Sequence, residues 1–440
     1  MSTDMTKGSV VKSLLSFTIP LVLSGLLQQL FNWVDAFIVG NVNGELALAG
    51  IGATTSIYNL FITVITGFTA GLSVLTAQQY GRGEKEKIKG TLSSYSIILG
   101  LFFLSVAIAG IAFTDGILHL MNTPGNIFSS AEGYLRIILI GIPFLAVYNT
   151  YSAILRGIGN SRAPFAAVLI SSIANVVLDL VFVIGFDYGA RGAAIATAVS
   201  QAAMTVFIIF YAHSKYLILR FSSSSAEAVK EGAAFGLPPA VQSGASSIGN
   251  VILQQFMNGF GEKTVAAITT SYRIDTVILL PITNLGSGIA TVAAQNIGAG
   301  NEERARKVLK VGMVMMALVS VFLTFVVLLF GSPLIALFGL TAETVEVGRA
   351  FFYGIAPFYV VFGLGMAIRG YLEGCGDMLF SGIAGISFLV VRIICSYALD
   401  DIFGNMVIAY AEAIAWIFLL SLVSFRYFRK KRTVVESASV

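Results

Sequence analysis

Twelve stretches of this chain are too apolar to face water. Their approximate limits are 14–39, 48–79, 91–113, 128–152, 164–186, 190–213, 233–258, 265–297, 307–330, 345–371, 378–399 and 405–427. About 20 apolar residues cross a bilayer as a helix. In lipid each backbone amide must find its partner within the protein, so isolated segments of this length fold as helices. Charged residues make up 11% of the chain, against about 25% in a soluble domain. The chain therefore reads as an all-α polytopic membrane protein with twelve transmembrane helices. The second and eighth spans exceed the crossing length and must tilt or run past the membrane. Lys7 and Lys12 precede the first span. That span has no small-residue cleavage site and more spans follow, so it reads as a retained helix and not a signal peptide.

The basic residues fix an orientation. Of 27 Lys and Arg, 21 lie before the first span or after even-numbered spans, among them Arg82, Lys85, Lys87, Lys89, Arg304, Arg306, Lys307 and Lys310. Four lie on the other side: Arg136, Arg191, Lys263 and Arg349. The excess marks the cytoplasmic face and puts both termini there. The net charge of +4 follows the loops and is not clustered for nucleic acid.

The chain also repeats. Ala77-Gln78-Gln79-Tyr80-Gly81-Arg82-Gly83 returns 217 residues later as Ala294-Gln295-Asn296-Ile297-Gly298-Ala299-Gly300. Leu155-Arg156-Gly157-Ile158-Gly159-Asn160 returns at the same offset as Leu372-Glu373-Gly374-Cys375-Gly376-Asp377, and Pro20 matches Pro238. The twelve spans thus form two six-helix repeats. Six is even, so both halves start on the same side, related by an axis along the membrane normal. The expected divisions are an N-terminal lobe over 1–213, a linker over 214–231, a C-terminal lobe over 232–428 and a cytoplasmic tail over 429–440.

Polar residues inside the spans point to a pathway. In the first span Gln28, Asn32 and Asp35 fall within roughly 60° of one another on a helix. A carboxylate at the centre of a spanning helix costs about 2.5–3.5 kcal/mol, which favours a functional role over a polar seam between helices. On the fifth span Ser172, Asn175 and Asp179 share a face. Counted from the outer boundary at about 1.5 Å per residue, Asp35 and Asp179 both lie roughly 6–10 Å deep and can meet. Two carboxylates in a dry site cannot both ionise cheaply, so the pair should hold a proton or bind a cation. The second repeat has Leu253 where the first has Asp35, and Arg392 and Ser396 where it has Asn175 and Asp179. Ion coupling is therefore expected in the N-terminal half. Pro20 removes a backbone hydrogen bond and gives the first helix a hinge.

Other groups carry less. Arg273 and Asp275, two residues apart in the eighth span, do not face each other; Glu412 and Arg392 are candidate partners. Glu373 and Asp377 sit in a basic-side loop and read as solvated. Cys375 and Cys395 are the only cysteines, so neither a disulfide framework nor a zinc pattern is present. There is no GxxxxGK[ST] for ATP and no nucleophile–base pairing for an enzyme.

Two six-helix repeats, AQ-x-x-G-x-G after the second and eighth spans, L-x-G-x-G-[ND] after the fourth and tenth, and Pro20 and Asp35 in the first together resemble the multidrug and toxic compound extrusion (MATE) family, over nearly the whole chain. The resemblance implies a V-shaped antiporter that exports an organic, often cationic, substrate in exchange for an inward proton or sodium ion. Within the family the chain is similar to the DinF-like branch. That likeness implies a coupling site of Asp35, Tyr134, Asn175, Asp179 and Thr197, with Asp35, Asn175, Asp179 and Thr197 as the sodium ligands where sodium is the coupling ion. The helix 7 carboxylate of the NorM-like branch is replaced by Gln254 and Gln255. The implied partners are a small organic molecule and the lipid bilayer, with no nucleic acid, no cofactor and no other metal. A monomer in the plasma (bacterial inner) membrane is expected. The alternatives are a lipid or lipid-linked oligosaccharide flippase of the same superfamily and, from another class, a membrane-embedded enzyme.

Overall fold

The computed structural model describes residues 4–221 and 224–438, with side chains as far as Lys430. Ser222 and Ser223 of the expected linker, and the last two residues of the expected tail, lie outside the described residues.

The helices are α1 (Val10–Arg82), α2 (Lys85–Ala112), α3 (Thr114–Leu120), α4 (Gly125–Gly157), α5 (Arg162–Asp179), α6 (Gly189–Lys215), α7 (Ala226–Asn258), α8 (Glu262–Ile278), α9 (Leu280–Gly298), α10 (Glu302–Ala336), α11 (Ala342–Ile355), α12 (Tyr359–Gly374), α13 (Met378–Ala398), α14 (Asp400–Phe403) and α15 (Val407–Ala438). Ten described helical segments are long and apolar enough to cross a membrane. The 73-residue α1 holds two spans, separated at Gly44, whose φ of 79° lies outside the helical region. With the 33-residue α7, made more polar by its Ser and Gln residues, the twelve spans are accounted for. The eighth and tenth are each interrupted: α8 gives way to α9 at Leu279, and α11 to α12 through a 3-10 turn at Ala356–Phe358. Pro281 and Pro357 supply the reason, since neither has an N–H for the carbonyl one turn back.

The repeated glycine motifs are helix ends. Gly83 and Gly300 have φ of 77° and 72°, Gly159 and Gly376 have 87° and 86°, a left-handed conformation that glycine adopts without strain. Past each, an amide closes back on the helix: Glu84 onto the Gln79 carbonyl at 2.9 Å, Asn301 onto Asn296 at 2.8 Å, Asn160 onto Leu155 at 2.8 Å and Asp377 onto Leu372 at 3.0 Å. This is the capping pattern that satisfies orphan carbonyls at a helix C-terminus.

Two compact units result. The first runs from Ile19 to Ala240; the second comprises Asp4–Thr18 and the chain from Val241 onward. The divisions therefore fall within helices, just before Pro20 in α1 and just after Pro238-Pro239 in α7. In the first unit Gln79 donates to Glu231 at 3.1 Å, Lys87 binds Glu227 at 2.9 Å and Glu231 at 3.2 Å, and the Tyr95 hydroxyl donates to the Val229 carbonyl. These contacts seat the first turns of α7. In the second unit the repeat-equivalent residues seat the chain leading into α1. Asn296 donates to the Met5 carbonyl at 3.2 Å, and Arg304 donates to the carbonyls of Gly8 at 2.9 Å, Met5 at 3.3 Å and Lys7 at 2.9 Å.

Glu373 and Asp377 are not solvated. Arg369 donates to Glu373 at 3.1 Å and to Ser381 at 2.7 Å, and Asp377 receives Arg426 at 2.8 Å. Glu373, in the last turn of α12, pairs with Arg369 one turn earlier on the same helix, and past the turn at Gly376 Asp377 meets Arg426 of α15.

A carboxyl pair as candidate functional site

Four helices of the first unit supply the site. The first span of α1 brings Asp35 and its second span Tyr58; α4 brings Tyr134; α5 brings Asn175 and Asp179; α6 brings Thr197 and Gln201. Asp179 is fully buried and is the last α-helical residue of its segment. The chain continues as a π-helical turn over Leu180–Gly185, a loosened winding that recurs at functional positions. Ile38, Val39, Val183 and Ala193 form a buried apolar cluster, with Val34 and Tyr134 packed against it.

Asp35 and Asp179 lie within hydrogen-bonding range of each other. Neither brings a donor. Asp35 Oδ1 and both oxygens of Asp179 are buried without a hydrogen-bond partner, and so is Gln201 Oε1. Gln201 spends its amide on the Tyr58 hydroxyl. Asn175 donates to Thr197 Oγ1 at 3.5 Å, while Thr197 donates to the Ala193 carbonyl at 3.0 Å. The orphaned atoms of the cluster are thus all acceptors. A buried acceptor without a donor costs about 1–3 kcal/mol, more when charged. A proton or a small cation between the carboxyl groups would relieve that cost, and the oxygens of Asp35, Asp179 and Thr197 are of the hard type that suits sodium. Among the described residues no group of three or more His, Cys, Asp or Glu converges as a metal site.

The structure brings Asp35, Tyr134, Asn175, Asp179 and Thr197 together. Gln28 and Asn32 stand on an exposed part of α1 and make no hydrogen bond to either carboxyl group. Pro20 sits inside α1, where the Ser24 hydroxyl donates to its carbonyl at 2.8 Å. Two members of the cluster were missed from sequence: Tyr58 and Gln201. Gln201 had a signal, because an uncharged polar residue one turn after Thr197 on a spanning helix shares its face. Tyr58 had only Thr54 and Thr55 at helical spacing, and hydroxyls that can bond their own helix backbone mark no site.

The charged groups of the second unit are arranged differently. Arg392 binds Glu412 at 3.1 Å, and Asp275 accepts from the Tyr359 hydroxyl. Arg273 is exposed and lines an open cavity of about 700 Å³ with Asn258, Glu262 and Thr269.

Two six-helix repeats with a buried carboxyl pair inside one of them define a class: polytopic helical membrane transporters. The chain belongs to the MatE family, whose profile matches residues 20–181 and 238–398, one segment in each repeat. It is 28% identical over 433 residues to the probable multidrug resistance protein YpnP of Bacillus subtilis (strain 168), covering 98% of this chain and 97% of that one. It is 25% identical over 442 residues to the multidrug export protein MepA of Staphylococcus saprophyticus, covering 99% and 97%. A solved multidrug resistance MATE family transporter of the MOP superfamily, in an outward-facing conformation, shares the fold with a TM-score of 0.91 at 22% identity over 99% of both chains. The family is one of transporters and not enzymes, and the chain is an integral membrane protein.

Proposed function

We propose that the protein is a cation-coupled antiporter that exports organic, amphipathic or cationic compounds by alternating access, with Asp35 and Asp179 as the coupling site. The orphaned carboxyl oxygens carry this reading: a proton or sodium ion supplies what the two carboxyl groups lack. The drug-resistance and export names of full-length relatives support an organic substrate. They also favour export of such compounds over lipid flipping. Loop charge supports cytoplasmic termini, in the plasma membrane and, in a bacterium, the inner one. The unit acts as a monomer, since one chain holds both repeats.

Energy follows from charge. One positive charge moving inward across 100 mV supplies about 2.3 kcal/mol, up to roughly fiftyfold in substrate gradient. The ion must bind the two states unequally to deliver it. Binding neutralises the pair, α1 repacks about Pro20, and the cavity loses its affinity for substrate before the ion is released inward.

The test is transport in proteoliposomes with proton and sodium gradients imposed separately. One of the two gradients drives uptake by the wild type, and Asp35→Asn, which keeps the shape but cannot titrate, falls to the rate of empty liposomes. Gradient-driven transport by that variant at the wild-type rate would refute the assignment. Sidedness is checked in a background without Cys375 and Cys395. A cysteine at Asn43 should label from outside and one at Glu84 only from inside.

A further inference from the structure

The second unit holds a buried polar cluster that the coupling pair does not use. Tyr272 and Asp275 come from α8, Tyr359 from the start of α12, Arg392 from α13 and Glu412 from α15. The offset of 217 residues that relates the repeats carries Tyr58 onto Asp275 and Asn175 onto Arg392. The cluster therefore occupies the place in the second repeat that the carboxyl pair occupies in the first, built from different chemistry.

Its charges do not balance. Asp275 is 3% exposed and Glu412 8%. The single guanidinium is committed to Glu412: Arg392 reaches it at 3.1 Å, donates to the Tyr272 hydroxyl at 2.6 Å and lies over the Tyr272 ring at 5.4 Å. Tyr272 in turn donates to Glu412 at 2.9 Å. Asp275 is left with a neutral phenol, Tyr359, whose ring packs near Trp416 at 6.0 Å. Beyond Glu412 and Arg392 themselves, no other charge among the described residues faces it. Arg273 points into the open cavity, α9 has no ionisable residue, and those of α10 lie in its first three turns. Glu346 and Arg349 of α11 are exposed and paired with each other at 3.3 Å. Two buried carboxyl groups with one cation leave one negative charge uncompensated, and a buried carboxyl group in that position takes up a proton. A metal ion is the weaker solution, because the guanidinium repels it and the phenol already fills one Asp275 oxygen.

We propose that Asp275 is a second proton-binding site of the transporter, held by Tyr359 and separate from Asp35 and Asp179. The proton joins a carboxylate oxygen of Asp275 and leaves to water when the site opens. The consequence, a second proton carried per cycle, rests on the proposed coupling reading; the existence of the site does not.

Infrared difference spectra of the purified protein between acid and alkaline pH test it. The expected result is a carbonyl stretch of a protonated carboxyl group that Asp275→Asn abolishes and Tyr359→Phe shifts, with one proton fewer taken up per chain in Asp275→Asn. The Tyr359→Phe variant retains the carboxyl group and so serves where Asp275→Asn folds poorly. Asp35→Asn with Asp179→Asn should leave this band in place, which separates the two sites. If that double variant removes no band and leaves sodium binding unchanged while Asp275→Asn removes its band, the first-unit coupling reading fails and this one stands. No band sensitive to Asp275→Asn or Tyr359→Phe at any pH overturns the proposal.

Discussion

Lys87 and Arg304 occupy the same place in the two repeats, and each holds the lead-in to the first helix of the opposite repeat. They do so in different ways. Lys87 binds the side chains of Glu227 and Glu231, whereas Arg304 binds three backbone carbonyls between Met5 and Gly8.

The difference sets the outcome of removing them. Exposed ion pairs such as Lys87–Glu227 contribute about 0–1 kcal/mol. Hydrogen bonds from a charged group are worth about 1.5–3 kcal/mol. Arg304→Ala is expected to lower amide-exchange protection in residues 5–9 by roughly tenfold or more, and Lys87→Ala to change residues 226–231 much less. Equal effects would mean that the carbonyl bonds carry no more than the exposed pairs.

At Gly71 the packing between the second span of α1 and α7 leaves no room. A Cβ there would meet the Phe235 carbonyl oxygen at 2.0 Å, and the backbone cannot move aside as a side chain would. Gly71→Ala should lose roughly 1–3 kcal/mol as an overpacked site does, read as a lower melting temperature in detergent. Gly52→Ala, where a Cβ meets nothing within 4 Å, is the control and should not fall.

The Arg392–Glu412 pair lends itself to a double-mutant cycle. Breaking a buried pair from one side costs about 3–5 kcal/mol, while replacing both partners by apolar residues is often neutral. Arg392→Met alone should destabilise strongly, and Arg392→Met with Glu412→Leu should recover most of the loss. Failure of the second change to rescue would show that Tyr272, and not the guanidinium, is the main partner of Glu412.

Substrate binding should report the state of the first-unit pair. Affinity in the outward-open protein is expected to fall as pH drops, or as sodium rises if sodium is the ion, because the occupied pair favours the narrowed cavity. Asp179→Asn should flatten that dependence. Pro20→Ala should slow transport more than it changes affinity. Equilibrium binding in detergent against pH and sodium is the measurement, and a flat wild-type response to both would end the coupling model.

Much of this architecture is legible in the sequence. The spans announce themselves by hydropathy, and the 217-residue offset marks the glycine-capped helix ends because only glycine takes those left-handed turns freely. That Asp35 and Asp179 can meet follows from depth, since two helices running the same way place equal distances at equal heights. What sequence could not reveal is lateral. Nothing in the residues of α1 says that Met5 docks on Asn296 while Asp35 faces Asp179, and Tyr58 looks like any aromatic in an apolar run. Asp377 looked solvated because a loop position says nothing about which arginine of α15 meets it, and Glu373 because the end of α12, with Arg369 one turn earlier on the same helix, reads as loop.

The exchange of leading segments has a consequence for how the protein is made. The Ile19–Ala240 unit has all its parts once α7 has begun to emerge from the ribosome. The second unit does not, because Met5 bonds to Gln295, a residue synthesised 290 positions later. At about 5–20 residues per second of translation, the beginning of the chain waits roughly 15–60 s for its seat. During that interval the N-terminal strap of the nascent protein is unclaimed, open to insertion factors and proteases alike, and its docking must wait for the second repeat to be made.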